Sequence, residues 1–102
     1  MSLFLFLAFL GTHPQDVGAR RALVEISKSC EWYYKRNKVY PSSEAALLAT
    51  APPYLNSGYC GLVLNGYAYT CAFAPAGYTI TAVPAKASSG KSYSISTKGV
   101  LE

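Results

Sequence analysis

The chain has 102 residues, a formal net charge of +4, and a composition that is 51% hydrophobic and only 14% charged. At 11.0 kDa it holds one small domain, which excludes a separate catalytic or substrate domain, and its apolar balance excludes intrinsic disorder. So little solvating charge on so small a body implies that part of the apolar surface meets another protein.

Residues 2–11 (SLFLFLAFLG) form an apolar run about half as long as the ~20 residues needed to cross a bilayer as a helix. Its length suits the apolar part of a secretory signal, although no Lys or Arg precedes it. The alternative is a greasy arm that docks on a partner through Leu3, Phe4, Leu5, Phe6, Leu7, Phe9 and Leu10. Residues 1–11 are therefore set apart as arm or signal remnant, and residues 12–102 are expected to form a single globular domain.

Thr12, His13, Pro14 and Gln15 predict a helix start, with Thr12 as the cap, Pro14 in the first turn and Asp16 near the positive end of the dipole. The helix is expected to run to about Asn37. Ala19, Leu23, Ile26, Cys30 and Tyr33 recur at spacings of four and three and share one apolar stripe. Glu31 and Lys35 are spaced to pair on another face. Lys35, Arg36 and Lys38 suit the negative helix end, and Pro41 bars Tyr40 from helical geometry.

A second, shorter helix is predicted from Ser43 to about Thr50, stopped by Pro52 and Pro53. Beyond Tyr54 the period changes from that of a helix to that of strands. Asn65-Gly66 predicts a two-residue hairpin turn, because both of its central positions need positive φ. With that pair at the tip, Leu64 faces Tyr67, Leu62 faces Tyr69 and Cys60 faces Cys71. Directly opposed residues lie about 4.5 to 5.5 Å apart, within disulfide range, so a Cys60–Cys71 bridge is expected, with Gly61 or a bulge adjusting the geometry. Cys30 is then free; its pairing with either strand cysteine is the alternative.

A third strand is predicted at residues 77–83, with Tyr78, Ile80 and Ala82 on one face and Thr79, Thr81 and Val83 on the other. Residues 85–91 form a small polar loop. Residues 92–97 return as a fourth strand with Tyr93 and Ile95 on one face, and Lys98-Gly99 turns into the last three residues. The expected fold is α+β, with one long N-terminal amphipathic helix packed on a short antiparallel meander of about four strands.

Residues with reactive chemistry are sparse. His13 is the only histidine and sits beside the helix start. Asp16, Glu25, Glu31, Glu44 and Glu102 are dispersed, which suggests neither a glycosidase pair nor a hard-metal cage. No phosphate-cradling glycine loop precedes a helix. The expectation is a protein that is not an enzyme and takes no cofactor, metal or small-molecule substrate. Residues 31–40 (EWYYKRNKVY) interleave aromatics with Lys35, Arg36 and Lys38. Helix-end cations lying over aromatic rings account for the segment without a ligand. A patch that binds DNA or another anionic polymer is the second account.

Taken in order, several segments resemble the globular head of a type IV pilin or type II secretion pseudopilin. They are the amphipathic helix ending in aromatics and Tyr40-Pro41-Ser42-Ser43, the short Ala/Leu helix, GYAYT at residues 66–70, GYTITAVP at 77–84, and SYSISTKGV at 92–100. Pilins of this family also carry a prepilin leader cut after glycine and an unbroken apolar helix, neither of which the sequence displays. The resemblance is thus to the head half of a split pilin, and it implies a filament subunit that docks on a separate small helical pilin. Contact is expected through the N-terminal arm and the helix stripe at Val17, Leu23 and Ile26, with further filament subunits as partners. It also implies export to the periplasm and then to a cell-surface or periplasm-spanning filament. A self-sufficient secreted module for DNA or another anionic polymer is the alternative.

Overall fold

A computed structural model describes residues 14–86 and 91–102. Leu3, Phe4, Leu5, Phe6, Leu7, Phe9 and Leu10, together with Thr12 and His13, lie outside the described residues. Helix α1 spans Pro14–Asn37, and a short α2 spans Glu44–Leu48. Five strands follow: β1 (Val63–Leu64), β2 (Tyr67–Ala74), β3 (Gly77–Pro84), β4 (Tyr93–Ser96) and β5 (Val100–Leu101). They form one antiparallel sheet in the order β1-β2-β3-β4-β5. The fifth strand exceeds the predicted four: after the turn at Lys98 and Gly99, Val100 pairs with Ser96 and Leu101 with Ile95.

Alternation in the strands gives the sheet an inner and an outer face. Tyr67, Tyr69, Tyr78, Ile80, Ala82 and Ile95 are buried, while Thr70, Ala72, Thr79 and Val83 are exposed between them. Helix α1 lies across β3, β4 and the turn before β5. Its small residues Ala19 and Ala22 flank Leu23, Ile26 and Cys30, and all five are buried against the inner face. Leu55, from the loop after α2, and Leu47, from α2 itself, complete the core. Each fully buried Leu or Ile contributes roughly 1.5–3 kcal/mol, so this stripe is a principal source of stability.

That packing corrects one expectation. Leu23 and Ile26 are each 0% exposed, covered by the chain's own sheet, and neither is available to a partner. Val17, one turn before Leu23's neighbours, is half-buried and keeps some accessible surface.

Candidate functional site

Three constructions outside the plain core position side chains. The first is the disulfide turn. Val63 and Leu64 pair with Ala68 and Tyr67 in the register set by the Asn65-Gly66 tip. The ladder then bulges at Gly61, whose N–H and the Leu62 carbonyl both bond Tyr69. Gly61 has φ +81, a conformation that costs glycine no Cβ clash. The chain turns over residues 59–62, where Leu62 N–H donates to the Tyr59 carbonyl. Cys60 and Cys71 are bridged with a Cα–Cα distance of 5.5 Å. One carboxylate fixes this turn from α2: Glu44 Oε2 accepts the backbone N–H groups of Tyr59 and Cys60. Cys30 is free and buried on the helix stripe. Burial, with a smaller effect from the Glu31 charge, pushes its thiol from 9.0 up to about 12, so it is a poor nucleophile.

The second construction centres on Glu31. The spacing of Glu31 and Lys35 suggests a surface ion pair, but the carboxylate is spent on other donors. Its Oε1 accepts the Tyr40 hydroxyl at 2.9 Å. Its Oε2 accepts the Tyr78 hydroxyl and the Lys98 backbone N–H, each at 2.7 Å. Tyr78 has one proton, and it goes to the carboxylate, so the buried Ser27 hydroxyl donates in turn to Tyr78 Oη at 2.7 Å. Lys98 is in the left-handed region at φ 69, which turns its N–H toward the helix. Burial raises both phenols above their ordinary value. Tyr40 reaches about 12 with help from its bond to Glu31, while at Tyr78 the Ser27 bond opposes a rise that Glu31 reinforces.

The Glu31 cluster therefore joins α1, the chain after it, β3 and the closing turn. It was missed at the level of sequence because its partners are remote, although Ser27 and Glu31 stand at i,i+4 on the margin of the apolar stripe. Among the described residues there is no group of three or more His, Cys, Asp or Glu able to hold a metal ion. No helix there is long and apolar enough to cross a membrane.

The third construction is the basic and aromatic end of α1. Trp32 is 46% exposed and Tyr34 is 41% exposed, and Lys35, Arg36 and Lys38 are all exposed beside them. Trp32 meets Tyr54 edge-on, with ring centroids 5.1 Å apart at 80°. Tyr34 stacks on Tyr40 at 4.4 Å. Lys38 caps the helix at φ 66, its N–H donating to the Tyr34 carbonyl. The three cations named from the sequence thus share one helix end with two open aromatic rings. The cation–π contact found among the described residues lies elsewhere, with Arg20 over Tyr93 at 5.6 Å.

The disulfide belongs to an oxidising compartment, because cytosolic thiols are kept reduced. Comparison of the chain with protein-family models, with curated proteins and with solved structures finds no match.

Proposed function

We propose that the chain is the globular head of a structural subunit in a type IV pilus-like or pseudopilus-like filament, exported through the periplasm and joined there to a small helical pilin. One observation carries this reading: the order of helix, connector and antiparallel meander that the resemblance implies, whereas the burial of Leu23 and Ile26 under the chain's own sheet removes that part of the expected contact. The apolar residues expected to meet the helical partner are those from Leu3 to Leu10 in the sequence, which lie outside the described residues, together with half-buried Val17. A head that seals its own core and is preceded in sequence by an apolar run suits attachment to an apolar rod. A disulfide suited to an extracytoplasmic setting also supports it. Assembly is driven by hydrophobic burial, and a stable pair requires about 1,200–2,000 Å² of buried surface.

The test is fractionation of the full chain from its native envelope, followed by size exclusion. The expected result is a complex with a short apolar helical protein, lost when Phe4, Phe6 and Leu10 are changed to Ser. Elution of the unaltered chain as a monomer with no helical companion overturns the proposal.

A further inference from the structure

We propose that the C-terminal end of α1 is a platform for single-stranded nucleic acid, with Trp32 as the surface on which a base stacks and Lys35, Arg36 and Lys38 as the phosphate contacts. The platform stands independently of the filament reading. Its geometry comes from two adjoining depressions that share Trp32 as a wall. One, of about 520 Å³, is lined by Glu31, Trp32, Tyr34, Lys35 and Lys38. The other, of about 170 Å³, is lined by Trp32, Arg36, Thr50, Ala51, Pro52 and Tyr54. A polymer crossing the indole therefore meets cations on both sides of it.

The aromatic surfaces are held in place before any ligand arrives. Tyr54 braces Trp32 by its edge contact, and Tyr40 braces Tyr34 by stacking. Side chains already ordered lose little further freedom on binding. The one carboxylate in the larger depression, Glu31, directs its oxygens to Tyr40, Tyr78 and the Lys98 N–H, whereas the three cations are open to solvent. Lys38 occupies a left-handed position where glycine is the default, so the helix is capped by a cation at some backbone cost.

The exposed rings of Trp32 and Tyr34 with Lys35, Arg36 and Lys38 around them match a polymer that presents flat bases beside phosphates. Duplex DNA keeps its bases stacked inside and offers this surface phosphates alone. A polyuronate likewise supplies charge without π faces.

The test uses the full chain and an oligothymidylate of about twelve nucleotides, against a duplex of the same length and alginate. Trp32 is the only tryptophan, so its own fluorescence reports contact. The oligonucleotide is expected to quench it, with log affinity falling against log salt at a slope of about −2, as three phosphate contacts on a single strand require. Trp32→Ala should weaken binding of a labelled oligonucleotide at least ~5-fold, the lower end of base–aromatic stacking. Arg36→Gln and Lys38→Gln, both at exposed positions, should each flatten the salt slope while leaving the circular dichroism unchanged. Absence of binding at low salt overturns the proposal. So does an equal or higher affinity for the duplex or for alginate, or an affinity indifferent to Trp32→Ala in a folded variant.

Discussion

Tyr78 and Glu31 are separated by 47 residues in sequence and meet at 2.7 Å between Oη and Oε2. Because Tyr40 and the Lys98 N–H bond the same carboxylate, the orientation of α1 on the sheet depends on one side chain with several partners. Hydrogen bonds to a charged group are worth more than neutral ones, and donors buried without an acceptor are costly.

Glu31→Gln preserves shape but removes the charge and places an NH₂ group against donors. The expected loss is about 1.5–3 kcal/mol, read as a lower urea midpoint with an unchanged slope. Lys35→Gln, on the exposed face, should change stability by no more than about 0.5 kcal/mol. Equal stability of Glu31→Gln and its parent would show that the cluster does not hold the helix.

Alkaline pH acts on the same region. The Tyr40 hydroxyl is raised from 10.0 to about 12, and the Cys30 thiol from 9.0 to about 12. Burial lifts Tyr69 and Tyr78 in the same direction. Each group binds its proton more tightly in the folded chain, so its contribution is complete below the unfolded value and is lost as pH rises toward the folded one. Tm should therefore hold steady up to about pH 9 and fall progressively from there toward pH 12. The measurement is a thermal scan at each pH, paired with phenolate absorbance and near-ultraviolet circular dichroism. Complete ionisation of every tyrosine with the native dichroism intact would contradict the assignment.

Cys60 and Cys71 close a loop with a sequence separation of 11. The chain-entropy relation gives a loop of that size about 3 kcal/mol, so the Cys60→Ser, Cys71→Ser double variant should lose stability on that scale. Thiol titration of the parent should find no reactive group in the native state and one after denaturation, because Cys30 is buried and its thiolate disfavoured. Two or more thiols after denaturation without reductant, or a mapped peptide joining Cys30 to another cysteine, would refute the pairing.

What could be read from the sequence was local. The end of α1 near Asn37, the hairpin tip at Asn65-Gly66 and the Cys60–Cys71 bridge depend on residues within a few positions or on hairpin register adjusted by the bulge at Gly61. Alternation also identified the inner residues Tyr78, Ile80 and Ala82. The Glu31 cluster was hidden because Tyr78 and Lys98 are 47 and 67 residues away, and spacing on one helix favoured the nearer Lys35. The stripe containing Leu23 and Ile26 was recognised as apolar, but periodicity does not say what covers it. Here the chain's own sheet does. The cations at 35, 36 and 38 were evident as charges, whereas the smaller depression beside Trp32 depends on how the loop carrying Thr50, Pro52 and Tyr54 folds back.

Lys38 sets stability against charge at a single position. A side chain in the left-handed region at φ 66 is disfavoured relative to glycine by roughly 1–2 kcal/mol, while glycine's extra freedom in the unfolded chain returns about 0.4–1 kcal/mol of that. Lys38→Gly should thus stabilise the fold by about 0.5–1 kcal/mol, because the N–H bond to the Tyr34 carbonyl is backbone and survives the change. Lys38→Ala keeps the strain and removes only the cation, so it should leave stability near that of the parent. Urea denaturation of the three proteins separates the two effects. A Lys38→Gly variant no more stable than Lys38→Ala would mean that the left-handed cap is not a source of strain.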